Sequence, residues 1–192
     1  MKKGNNSGFT LVEVVVVVAV IAILAAVLTP YITKYIDDSK IAKAKNECQV
    51  ISAAVANFYK DTGMWPRTPW NGAAISVFYT GTAAPNTYPA FVNGAGVTAG
   101  WNVNVAPLDP KFGPTAPAGY PTTGEVRWNG PYASNPLPLD PWGRPYLLYI
   151  PAAAAGNAAQ IWVLSAGPNG AVNTAPATAT AAGSDDIAIR LR

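Results

Sequence analysis

The chain has 192 residues, room for one compact domain and an appendage. Half of them are hydrophobic and 12% charged, and the formal net charge of +3 falls to +1 once Lys2 and Lys3 are set aside. Between Thr62 and Ser184 the basic residues are Arg67, Lys111, Arg127 and Arg144 and the acidic ones Asp109, Glu125 and Asp140, a balance that offers no stripe to neutralise phosphates, so no nucleic-acid partner is expected. With no histidine and a single cysteine, Cys48, the chain excludes an internal disulfide, a Cys/His zinc site and a Ser/His or Cys/His nucleophile pair.

The chain opens on Lys2-Lys3 and a short polar stretch, then Gly8-Phe9-Thr10-Leu11-Val12-Glu13. Residues 9–28 number 20, of which only Thr10 and Glu13 are polar. As a helix they extend about 30 Å, the thickness of a bilayer's hydrocarbon core. The lysines before the run hold that end in the cytoplasm. An ordinary secretory signal has a shorter apolar region, about 7–15 residues, closed by a small-residue cleavage site. Here the run is longer and a Gly-Phe junction precedes it. Glu13 is the residue that needs an account, because a carboxylate at the centre of a membrane helix costs about 2.5–3.5 kcal/mol. Four residues into the run, it either reaches back to the headgroups or has a partner.

Pro30 interrupts the apolar run and is expected to kink the helix or remove a hydrogen bond. Beyond it Ile41, Ala44, Cys48, Ile51, Val55 and Phe58 recur at three- and four-residue spacings, one face of an amphipathic helix. The spacing predicts one long helix over about 9–61, ended by Thr62-Gly63, with Cys48 a small core residue. From 64 to about 138, prolines, glycines and asparagines punctuate the chain, which predicts loops, one short helix around 73–79 and little other regular structure. Residues 146–150, 160–165 and 187–191 read as strands, with 151–157 connecting the first two as a hairpin. A small antiparallel sheet laid on the amphipathic half of the helix buries both apolar faces, an α+β arrangement.

The hexapeptide from Gly8 to Glu13, with its basic leader and apolar run, resembles the prepilin signature of type IV pilins and of type II secretion pseudopilins. The resemblance implies the type IV pilin fold and a membrane peptidase that cuts between Gly8 and Phe9 and methylates the new amino terminus. The parts would then be a cleaved leader (1–8), a transmembrane and filament-core segment (9–30) and an amphipathic helix with a globular domain (31–192). Glu13 of one subunit would pair with the Phe9 amine of its neighbour.

Three further motifs sharpen the match. Asp140-Pro141-Trp142-Gly143-Arg144-Pro145-Tyr146 looks like the Asp-Pro-Trp-Gly-x-Pro-Tyr stretch of the major pseudopilin, and read by itself it is a rigid turn with Trp142 as packing anchor. Gly63-Met64-Trp65-Pro66 resembles that family's exit from the long helix. Ser165-Ala166-Gly167-Pro168-Asn169-Gly170, followed by Asp185-Asp186-Ile187, is similar to the family's calcium loop. By that likeness the Ala166 carbonyl, Asn169, Asp185 and Asp186 would supply oxygens to calcium, with Asn169 where the family has aspartate and an Ala/Thr-rich insertion over 171–184. Read without the family, the same residues are an Asn-Gly turn and a solvated acidic pair.

The function implied is mechanical: a structural subunit, not an enzyme, and most closely the major pseudopilin of a type II secretion system. Its partners would be further copies in a helical homopolymer, the prepilin peptidase, the inner-membrane assembly platform, minor pilins or pseudopilins, and membrane lipid before assembly. The anchor would lie in the inner membrane and the domain in the periplasm, with the filament in the periplasm or at the cell surface. Two other readings stay open: the major pilin of a surface pilus for adhesion, motility or DNA uptake, and a single-pass membrane protein with a ligand-binding or hydrolytic domain.

Overall fold

The computed structural model describes residues 8–63, 65–66, 77–81, the backbone of 105–107, and residues 121–133, 136–150, 160–174 and 180–191. Among these residues the helix α1 (Leu11–Thr62) is followed by five strands, β1 (Val77–Tyr79), β2 (Val105–Pro107), β3 (Leu147–Tyr149), β4 (Trp162–Ser165) and β5 (Ile187–Arg190). The chain divides into two compact units, Met1–Ser39 and Lys40–Arg192.

In the first unit every described residue is exposed, from Gly8 to Ser39. The helix passes through Pro30 without a break. Proline offers no N–H to the preceding turn, and threonine hydroxyls flank it: Thr29 Oγ1 donates to the Ala25 carbonyl at 2.7 Å and Thr33 Oγ1 to that of Thr29 at 3.1 Å. The stretch is long and apolar enough to cross a membrane, and none of its apolar window is buried, unlike the core helix of a soluble protein.

In the second unit the same helix is amphipathic. Ala44, Cys48, Ile51, Val55 and Phe58 are buried, as the three-four spacing requires, with Ile41 packed partly against them. Gly63, in the left-handed region at φ +64°, ends the helix and donates its N–H to the Tyr59 carbonyl at 2.8 Å. Trp65 then turns back to stack on Tyr59, with ring centroids 4.2 Å apart.

The strand order is β2-β1-β3-β4-β5. Strands β1, β3, β4 and β5 pair antiparallel, and Phe78, Leu148, Val163 and Ile189 stand opposite one another across them. Phe78, Leu148 and Val163 share one core with the helix residues, together with Tyr146, Ile150, Ile161 and Ile187. The alternate residues Val77, Tyr79, Leu147, Tyr149, Trp162 and Leu164 form a second core on the other face, with Ala166 and Val172. Both faces are covered, so β1, β3 and residues 162–164 of β4 are unbroken apolar or aromatic runs rather than alternating ones.

Two expectations need correction. Residues 77–79 form a strand, not part of a short helix: Val-Phe-Tyr is β-branched and aromatic, and pairing with β3 overrides any local helical tendency. The sheet is also not wholly antiparallel, since β2 joins β1 in parallel and puts regular structure in a stretch read as loop. The connection over 151–157 lies outside the described residues, as does 73–76.

Candidate functional site

Two places carry the residues singled out from the sequence. The first is the start of α1. Thr10 is its N-cap: Glu13 N donates to Thr10 Oγ1 at 3.3 Å, while Thr10 N and Thr10 Oγ1 donate to Glu13 Oε2 at 3.0 and 2.9 Å. This reciprocal arrangement is a capping box, which satisfies helix N–H groups that have no partner in the preceding turn. A carboxylate in the first turn also meets the positive end of the helix dipole. Phe9 precedes the box and is 85% exposed, and Gly8 is open on all sides. The Thr-x-x-Glu spacing announces the box, so Thr10 was legible and belongs with Gly8, Phe9 and Glu13.

The second place is where the turn before β3 meets the loops after β4 and before β5. Asp140, 4% exposed, is its hub. Its Oδ1 accepts from Trp142 N at 3.0 Å and Arg144 N at 2.8 Å, and its Oδ2 accepts from Ser165 Oγ at 2.7 Å. The backbone closes the same turn, with Asp140 N donating to the Arg144 carbonyl at 2.7 Å and Gly143 N to the Asp140 carbonyl at 2.8 Å. Trp142 packs partly on the helix-side core, which supports its reading as an anchor. Nearby, Tyr146 Oη donates to Glu47 Oε2 at 2.5 Å, tying this turn to the helix. Burial and the Glu47 carboxylate both push the Tyr146 hydroxyl well above the usual tyrosine range. Cys48 is a core residue: its thiol donates weakly to the Ile187 carbonyl at 3.6 Å, and burial pushes it up to about 12.

Arg144 leads from the turn to the loop. Its Nη1 donates to the Gly167 carbonyl at 2.7 Å, and its guanidinium lies against Gly170, at φ +73°, where a Cβ would collide with it. The left-handed backbone favours glycine there, and a side chain would also push the guanidinium aside. Of the four residues expected to hold calcium, Asn169 and Asp185 are in contact, while the Ala166 carbonyl and the Asp186 carboxylate have other partners. The Ala166 carbonyl accepts Gly170 N at 3.2 Å. Asn169 N donates to Asp185 Oδ2 at 2.9 Å, Asn169 Nδ2 donates to Asp185 Oδ1, and Asn169 Oδ1 accepts Ala171 N at 2.6 Å. Asp186 Oδ2 accepts from Asn173 N at 2.8 Å and from Thr174 N and Thr174 Oγ1 at 2.6 Å each. Asp186 is 7% exposed, its Oδ1 is buried without a partner, and burial raises its carboxyl above the usual range.

Calcium requires six to eight oxygens. In this arrangement Asn169 turns its donor end, not its oxygen, toward Asp185, and the Ala166 carbonyl is taken by Gly170 N. Asp186 Oδ1 is the one buried side-chain oxygen without a partner among the described residues of the loop. As they stand, these residues do not fit the ligand set that the resemblance implies. Among the described residues no convergent acid, base and nucleophile set is formed either: Asp140 and Asp186 are engaged by loop donors.

Comparison with known proteins supports both ends of the chain. A family of prokaryotic N-terminal methylation motifs matches residues 3–29, and the family of the type II secretion system protein G matches residues 115–182. The type II secretion system core protein G of Pseudomonas aeruginosa is 26% identical over 151 residues, covering 79% of this chain and 78% of the relative. No solved structure matches. A methylation motif on an exposed apolar helix, a protein G match across the Asp140 turn, and a helix laid on a small sheet occur together here, and together they support a type IV pilin-like chain similar to the type II secretion major pseudopilins.

Proposed function

We propose that the chain is made with residues 1–8 as a leader, is cut between Gly8 and Phe9, and is stored in the inner membrane through residues 9–30 with its domain in the periplasm. From there it is drawn into a helical homopolymer, with the apolar helices bundled inside and minor pseudopilins, the prepilin peptidase and the assembly platform as its partners. Its work is mechanical rather than catalytic. The observation that carries this reading is the fully exposed apolar stretch of α1 joined on one chain to the methylation motif and the protein G match.

The capping box gives Glu13 a physical part. Both Thr10 donors fall on Oε2, which leaves Oε1 for the ammonium group that cleavage creates on Phe9 of a neighbouring subunit. Two charges that are each costly in an apolar filament core compensate each other there, and removing one costs about 3–5 kcal/mol by leaving the other unpaired. Such a pair selects the stagger between subunits more than it adds net stability. Glu13→Ala is expected to leave membrane insertion intact and to abolish or misregister filaments in electron micrographs of a secretion-competent host. Filaments of normal number and register would refute the pairing; a wild-type chain that never polymerises would refute the subunit reading.

A further inference from the structure

We propose that the Asn169 carboxamide takes the place of a cation in this chain, closing the loop after β4 onto Asp185 and making that closure independent of calcium. The inference rests on the pseudopilin assignment only for where calcium would be expected. The geometry belongs to this chain's own residues.

The orientation of the amide is fixed from both sides. Asn169 Oδ1 accepts the Ala171 N–H at 2.6 Å, while Nδ2 faces Asp185 Oδ1. Turned end for end, the amide would set two donors against each other at Ala171 and two acceptors against each other at Asp185, so only one orientation satisfies both neighbours. The Asn169 backbone N–H reaches the other Asp185 oxygen at 2.9 Å, so one residue covers both oxygens of that carboxylate. An aspartate at 169 would instead bring a second carboxylate against Asp185, and like charges so placed need a cation between them.

A fixed positive charge is already built in. The Arg144 guanidinium holds the Gly167 carbonyl at 2.7 Å and lies against the face of Gly170. A divalent ion bound through the Asn169 side-chain oxygen would have to rotate the amide away from Ala171 and lose the bond from Nδ2 to Asp185. The fold also brings the backbone close: at Gly167, φ +63°, a Cβ would collide with the Asp185 carbonyl, so the two loops are in contact through backbone as well as through the amide. Asp186 completes the closure from its own side, taking three donors from Asn173 and Thr174 on one oxygen.

The test is the thermal melt of the full chain in detergent, in chelator and in about 5 mM calcium, a concentration above the affinities of extracellular calcium modules. The wild-type midpoint is expected to stay within about 1 °C between the two conditions. Asn169→Asp is expected to melt roughly 2–6 °C lower in chelator and to recover in calcium. Asn169→Ala should be lowered by a similar amount in both conditions, because it removes the clasp and offers no carboxylate. A wild-type midpoint that climbs by several degrees with calcium, with the climb lost in Asp185→Asn, would overturn the proposal. So would an Asn169→Asp chain as stable in chelator as the wild type. Calcium titration of the wild-type chain followed by heat release decides the matter if the variants do not fold: no heat supports the clasp and saturable heat refutes it. None of these readouts depends on polymerisation, so failure of the clasp and failure of the filament reading are told apart.

Discussion

The two stretches of α1 on either side of Ser39 are one helix by backbone and two by environment. From Leu11 to Ser39 all side chains are exposed, including long runs of valine and isoleucine, whereas from Lys40 onward the apolar residues are gathered on one face and buried under the sheet. Helix propensity does not separate them, since the β-branched valines of the first stretch are if anything poorer helix formers than the alanines of the second. What differs is the solvent each is written for. An apolar surface on every side suits lipid or a bundle of like helices, and a single stripe suits one packed neighbour.

The contrast can be broken from either side. Phe58 is fully buried, with its ring edge-on to Tyr132 at 5.3 Å, and Phe58→Ala is expected to cost about 3–5 kcal/mol in a denaturant melt while leaving membrane extraction unchanged. Val18→Arg is expected to do the reverse: an insertion cost of about 2.5–3.5 kcal/mol, seen as protein released by alkaline carbonate, with the domain melt unmoved. If Val18→Arg lowered the domain melt, the two stretches would not be the separate structural units described.

A smaller effect sharpens the buried side. The Cys48 thiol is raised from 9.0 to about 12 by burial. The folded chain therefore keeps its proton where the unfolded chain loses it. The contribution to stability is complete below pH about 9 and is lost as pH climbs toward about 12. At pH about 9 an alkylating reagent should modify Cys48 only at the rate of unfolding, and rapid modification of the native chain would show that the helix-sheet core opens freely.

Much of this was legible. The three-four spacing from Ile41 to Phe58 gave the buried face of α1, Gly63 its end, and the runs at 147–149, 162–165 and 187–190 three of the strands, because each signal is local. What escaped was set by residues far apart in the chain. The strand at Val77–Tyr79 exists because β3 lies beside it some seventy positions on. Tyr146 meets Glu47 across 99 positions and Asp140 meets Ser165 across 25, and no spacing rule announces either pair. Asp140 was read as one residue of a turn, yet three donors converge on it. At the loop one expected pair, Asn169 and Asp185, does meet, while Asp186 turns to Asn173 and Thr174. The sense of the hydrogen bonds was not readable, because it depends on which end of the Asn169 amide Ala171 selects.

The most direct measurement is the intact mass and amino-terminal sequence of the chain extracted from membranes that contain a prepilin peptidase. The expected result is a polypeptide that begins at Phe9, carries one added methyl group on its amine and keeps the whole apolar stretch. A chain cut beyond residue 28, losing that stretch as a secretory signal does, would contradict the filament-subunit reading outright.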